Sequence, residues 1–246
     1  MDRIVKEAMA KWPNVPACTG WLALDRRGRF RMRDEACQAA DAPGEPIRHA
    51  ALNAFIARNY TRDAEGRWFF QNGPQRVFVD LDYVPLVVRL HHGTTDDGLP
   101  TPADAPPVLI DQCAQPFIPS ACWCDEQGSI LFAGQRGRRI DAQWDHAPSS
   151  ASSGPTDNPT GSTHDTEDTT STVALLYDQD LDLFLRLFPE ASNKMAALLE
   201  AADTGSSDGA VQATLHWPGK TAPLPCGVID AHDVPVRFGF HQRPVA

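Results

Sequence analysis

Between residues 67 and 76, five side chains, Arg67, Trp68, Gln71, Gln75 and Arg76, bring guanidinium, amide and indole groups around a tight turn. Guanidinium forks match carboxylate and phosphate oxygens and amides add further donors, so the set predicts a site for a small anionic molecule. The plainer reading is turn polarity beside core aromatics, Phe69 and Phe70 among them. Asp80 and Asp82, two apart on a strand, have the spacing of paired carboxylates for acid/base work. Set against that, they end a strand, and Asp82 can hold the turn before Val84-Pro85. Among eight histidines, His91-His92 and His241 end two similar segments, and His232 lies beside Asp230 and Asp233. Adjacent histidines on a strand point to opposite faces, and no ligand spacing follows, so no metal is expected. Cys122-Trp123-Cys124 puts two sulfurs on one strand face without a second pair, which predicts buried small residues rather than ligands. The chain has no Gly-rich phosphate loop, no dinucleotide fingerprint, no nucleophile elbow and no metalloprotease helix. No cofactor is therefore expected and no catalytic residue is named, which argues against an enzyme.

Those groups must be held by hairpins. Asp25-Arg26-Arg27-Gly28, Asp63-Ala64-Glu65-Gly66 and Asp125-Glu126-Gln127-Gly128 each lead into an apolar run. Asp opens a type I turn, and Gly at the fourth place takes the left-handed backbone of a bulged hairpin. Asp41-Ala42-Pro43-Gly44 repeats the pattern between no strands. A first hairpin spans 21–33, where Arg29, Arg31 and Arg33 share a face expected to meet solvent and Phe30 and Met32 face the other way. An amphipathic helix is expected near the N-terminus, from Ile4, Val5, Ala8, Met9 and Trp12, and another from Pro46 to about Asn59. Strands are expected at 67–71, 75–81 and 84–90, giving an antiparallel sheet with a helix over 20–92.

Domain organisation follows as an N-terminal α+β unit at 1–92, a linker at 93–107 and a C-terminal α+β unit at 108–246. The second unit has strands at 117–124, 129–132 and 138–144, helices marked by Leu181, Phe184, Leu185 and Phe188 and by Met195, Leu198 and Leu199, and last strands at 211–217, 225–230 and 234–240. A segment at 147–172 interrupts it: thirteen of its twenty-six residues are Ser or Thr, which predicts a disordered loop. Asp82-Tyr83-Val84-Pro85 entering a strand that ends at His91-His92 echoes His232-Asp233-Val234-Pro235 through His241, and suggests an internal repeat. The fold class is α+β, two related units of antiparallel β-hairpins and meanders, each packed with one or two helices.

Gly44-Glu45-Pro46-Ile47, a helix, Asp63-x-x-Gly66-Arg67-Trp68 and a strand pair closed by Val84-Pro85 stand in an order that resembles the uncharacterised bacterial family called domain of unknown function twelve-eighty-five, or a sister of it. The resemblance covers mainly residues 20–91. It implies repeated α+β motifs and a ligand-binding or signalling role. The family tends to carry Thr-Pro-Val-Glu where this chain has Gln71-Asn72-Gly73-Pro74-Gln75-Arg76, and it lacks the Ser/Thr-rich loop.

Composition bounds the partners. With 246 residues, 42% of them apolar, and a formal charge of -10, the chain can bury a sizeable core but offers no basic footprint for nucleic acid or an anionic membrane. The opening residues contain no apolar signal core, and no run of about 18 apolar residues occurs, so a cytoplasmic protein is expected, with its six cysteines as free thiols. The reading is a non-catalytic small-ligand-binding or signalling-associated module, taking a small anionic molecule or a protein partner. The alternatives are a hydrolase using Asp80, Asp82, His91 or His232 in a cleft between the units, and a scaffold that binds protein through its sheet edges.

Overall fold

The computed structural model describes residues 1–93, 105–137, 171–203 and 213–245. Elements run in the order α1 (Arg3–Lys11), β1 (Cys18–Leu24), β2 (Phe30–Met32), α2 (Glu35–Ala39), β3 (Glu45–Pro46), α3 (Ala50–Arg58), β4 (Tyr60–Arg62), β5 (Trp68–Asn72), β6 (Gln75–Leu81), β7 (Leu86–His91), β8 (Val108–Asp111), β9 (Pro116–Cys124), β10 (Ile130–Arg136), β11 (Thr172–Leu176), a 3₁₀ turn at Asp178–Asp180, α4 (Leu181–Leu187), α5 (Pro189–Asp203), β12 (Ala213–Leu215), β13 (Leu224–Val228) and α6 (Val234–Phe238). None of the helices among the described residues is long and apolar enough to cross a membrane.

The protein is α+β, with two sheets. The first has the order β3-β2-β1-β6-β5-β4 and the second β10-β11-β7-β8-β9-β13-β12. In the second, β10 also pairs with β9: Leu131 stands opposite Trp123 on one edge and Leu175 on the other. Strands β7 to β11 therefore close on themselves as a five-stranded barrel, which leaves those strands no free edge, and β13 and β12 extend it. The wall bends at Gly134, where the register shifts and an added Cβ would lie 2.2 Å from the Ile118 carbonyl oxygen.

Four hairpins share one turn, and aspartate is its pivot. In each, one Asp oxygen accepts the N–H groups two and four residues on, while the Asp N–H and the carbonyl of the fifth residue close the strands. The donors are Arg27 and Arg29 for Asp25, Glu65 and Arg67 for Asp63, Gln127 and Ser129 for Asp125, all at 2.7–3.0 Å. Asp111 does the same with Cys113 and Gln115, at 2.8 and 3.0 Å, and Ala114, at φ 57°, holds the left-handed position that glycine fills in the other three. The fourth turn escapes the Asp-x-x-Gly pattern for that reason.

Several expectations are corrected. The sheets are mixed: β1 runs parallel to β6, β7 to β11 and β9 to β13. Strand β7 leaves the first sheet, where the segment 84–90 was expected, because Asp82 and Tyr83 turn the chain across to the barrel. Residues 45–46 form an edge strand, and α3 starts only at Ala50, where the His49 ring accepts the Leu52 N–H at 3.2 Å. The segment 234–240, expected as a strand, is helix α6: Pro235 sits in its first turn and Gly239, at φ 63°, ends it. The sequence echo with β7 therefore joins a strand to a helix. The linker read over 93–107, the loop over 147–172 and the strand over 138–144 lie mostly or wholly outside the described residues.

One apolar cluster runs through both sheets, from Leu22, Leu24 and Tyr60 to Leu86, Phe132, Phe184 and Trp217. Across it, Arg136 of β10 pairs with Asp111 at 2.5 Å and donates to the Tyr60 carbonyl of β4 at 3.2 Å. Breaking that buried pair leaves a guanidinium uncompensated, so Asp111→Ala is expected to cost about 3–5 kcal/mol. Ala114→Gly relieves a left-handed non-glycine residue and is expected to gain about 0.5–1 kcal/mol. Urea unfolding of both variants against the parent, at constant m, measures the two effects.

Candidate functional site

The five residues marked at 67–76 are divided between two faces. Arg67, Gln71 and Arg76 share one face of the β5–β6 hairpin, whereas Trp68 and Gln75 belong to the other, as the pairings Phe69 with Phe78 and Gln71 with Arg76 require. Arg67 is held by Asp63 at 2.8 Å and lies over Phe78; Arg76 lies over Phe69. Gln71 is buried and donates to the Gly73 carbonyl, and Gln75 donates to that of Pro16. The side-chain Oε1 of Gln71 and the indole N–H of Trp68 are buried without a partner among the described residues. Arg67 is thus matched by a carboxylate, while exposed Arg76 rests on a phenyl ring.

The acid/base candidates are dispersed as well. Asp80 is buried against Arg33 and also receives Arg243 at 3.3 Å, while Arg33 and Arg243 share Asp41, at 2.9 and 3.0 Å. Two cations and two anions interlock there, and of the arginine row expected to face solvent Arg33 is buried and Arg31 half-buried while Arg29 stays exposed; Arg29 and Arg31 both reach Asp25 at 2.8 Å. Asp82 is exposed at the corner after β6, His91 ends β7 in the other sheet, and exposed His232 sits 3.1 Å from Asp233. Asp230, His232 and Asp233 gather one ligand atom each within 4.8 Å at the surface, an arrangement common without an ion. Cys122, Cys124 and Cys226 are buried, with Cys122 opposite Cys226 across β9 and β13. A hydrogen bond to Cys226, then burial, pushes the Cys122 thiol up, and burial with Asp125 pushes Cys124 up to about 11, so neither is a thiolate at neutral pH.

The structure instead brings together two of the aspartate turns, the one at 25–28 from the first sheet and the one at 125–128 from the barrel. Between them opens a cavity of about 410 Å³. Its apolar side is formed by Ile130, Leu175, Leu176 and Leu181, its polar rim by Arg26, Arg27, Ser129, Tyr177 and Asp178. Arg26 stacks on the Tyr83 ring, 4.2 Å from its centroid, and donates to Ser129 Oγ at 2.8 Å. Tyr83 is fixed in turn because its hydroxyl donates to Asp125 Oδ2 at 2.8 Å. Arg27 is matched by Asp178, at 3.0 and 3.2 Å. Glu126, the second residue of the 125–128 turn, accepts the Ala231 N–H at 2.8 Å. Half-buried Arg26 has no carboxylate partner among the described residues. Gly28 seats the first turn against the barrel: an added Cβ there would lie 3.0 Å from Gln112 and 3.3 Å from Val87. The sequence places Arg26 and Arg27 only as members of a turn; the available signal was a double arginine at the middle of a turn whose ends are fixed by Asp and Gly.

Comparison with known proteins places the whole chain. A family model described as "Protein of unknown function (DUF2946)" matches residues 1–245. No curated protein matches. Among solved structures, a crystal structure of a DUF1285 family protein from Silicibacter pomeroyi DSS-3 aligns over 92% of this chain and 94% of its own, at 12% identity and a TM-score of 0.38.

Two of the aspartate turns, those of Asp25 and Asp63, hold their carboxyls below the ordinary range. Burial alone would raise the Asp25 carboxyl, but the Arg29 N–H, the Arg31 guanidinium and the Arg27 N–H outweigh it and hold it below the ordinary carboxylate range. Asp63 is lowered in the same way, burial being outweighed by the N–H and guanidinium of Arg67. With folded values below the unfolded ones, the unfolded chain binds more protons at acid pH. The stabilisation is complete above about pH 4 and is lost as pH falls through the folded values. Asp25→Asn and Asp63→Asn keep the turn acceptor and remove the charge, so their unfolding free energy should fall less steeply than the parent's between about pH 4 and pH 2, measured by urea unfolding across that range.

Proposed function

The chain belongs to this family of unknown function, and we propose that it is a binding module that takes a small anionic ligand in the cleft between the 25–28 and 125–128 turns. One observation carries the reading: Arg26 lines the cleft, held by a ring and a hydroxyl but by no carboxylate. Most other buried or half-buried arginines in the described residues are neutralised, Arg31 by Asp25, Arg33 by Asp41 and Asp80, Arg136 by Asp111. A cation kept in place and left uncompensated is what an anion site requires. The rigid backing of Arg26 lowers the ordering cost of binding. Six free thiols, four of them buried, fit a reducing cytoplasm. A sister relation to the family resembled by residues 44–90 is part of the same reading, resting on that order of motifs.

Calorimetric titration with inorganic phosphate, citrate and hexanoate tests the proposal on the parent and on Arg26→Met. At least one anion should bind at a single site, and the variant should bind it about tenfold or more weakly, the loss expected for a charge-assisted hydrogen bond. Binding by none of the three, or binding that Arg26→Met leaves unchanged, overturns it.

A further inference from the structure

We infer that the ligand of this cleft is an amphiphilic monocarboxylate, an acid with one negative charge and an apolar body; this rests on reading the cleft as an anion site. Charge comes first. Arg27 and Asp178 cancel at the rim, so the cleft presents the single uncompensated charge of Arg26. A dianion would bring its second charge against Asp178, whereas a monoanion is matched by Arg26 alone.

Shape and surface point the same way. Ile130, Leu175 and Leu176 are buried core residues that present part of their surface to the cavity, and Leu181 continues that wall. An inorganic anion leaves that wall wet. A hydrocarbon body covers it, and each buried methylene strengthens binding by about fourfold. The guanidinium carbon of Arg26 lies 4.2 Å from the Tyr83 ring centroid and its Nη2 donates to Ser129 Oγ, and a guanidinium with further N–H groups suits the two oxygens of a carboxylate. A cavity of about 410 Å³ holds a small molecule of this kind.

Calorimetric titration of the full chain with butyrate, hexanoate, octanoate, hexan-1-ol and inorganic phosphate separates the possibilities. Affinity should climb with acid length by about fourfold per added methylene over the first steps. Hexanoate should exceed hexan-1-ol by about tenfold or more, and Arg26→Met should abolish that advantage while the alcohol is unaffected. Leu181→Asn, on the exposed side of the apolar wall, should weaken octanoate more than butyrate. If phosphate outcompetes the acids, or affinity ignores chain length while still depending on Arg26, the class is wrong and the anion site stands. If no anion binds, or the acids bind equally to Arg26→Met, both fall together.

Discussion

Each hairpin aspartate divides its carboxylate between two tasks. One oxygen accepts two backbone N–H groups of its own turn, and this fixes the side chain so that the second oxygen points in a set direction. That second oxygen then takes a partner: Arg29 and Arg31 for Asp25, Arg67 for Asp63, Arg136 for Asp111, Tyr83 for Asp125. Hydrogen bonds to a charged acceptor are the strong kind, about 1.5–3 kcal/mol each. The device links local closure to tertiary position. Through Arg136 it reaches the Tyr60 carbonyl of the other sheet, and through Tyr83 it reaches the ring on which Arg26 rests. A lost aspartate would therefore loosen a turn and a contact between the sheets together.

What could be read from residues alone follows the range of the interaction. Three of these turns were legible because Asp and Gly act within four residues; the fourth was hidden because Ala114 accepts a backbone conformation that glycine would advertise. Barrel closure was not legible. Strand β10 reaches β9 through a short turn but reaches β11 across some thirty-five residues, and parallel pairing leaves no turn signature to find. Helix α6 was misread because Val234, Val236, Phe238 and Phe240 alternate like a strand, while Pro235 and Gly239, the helix start and stop, were given less weight. The alternation has no sheet to serve: Val236 projects 85% exposed.

The site was harder still, since residue types do not say which charges cancel. Arg67 and Arg76 looked available beside their aromatics, and those same rings occupy them. Arg29, Arg31 and Arg33 looked like a solvated row, and Asp25, Asp41 and Asp80 absorb them. In a chain with 32 acidic and 22 basic residues, a carboxylate is near for most arginines. The informative arginine is one that lies half-buried at a cavity with no carboxylate partner among the described residues. Arg26 is that residue because the Asp25 carboxylate is already turned toward Arg29 and Arg31, and that of Asp125 toward Tyr83.

The net charge of -10 and a site for an anion are compatible. Nucleic acid and an anionic membrane meet a protein over a wide surface and respond to its summed charge, so an acidic balance opposes both. A small anion seated in a cleft responds mainly to groups within a few ångströms, since charges beyond about 8–10 Å are screened at physiological salt. The long-range field then slows encounter more than it weakens the complex, because steering acts on association and the contact itself on dissociation. Added salt has opposing effects here: it screens the repulsion felt during approach and also the attraction of half-buried Arg26, the latter less because the cleft excludes part of the solvent. An affinity nearly indifferent to moderate salt, set by apolar contact and one guanidinium, is what this balance implies for the proposed ligand.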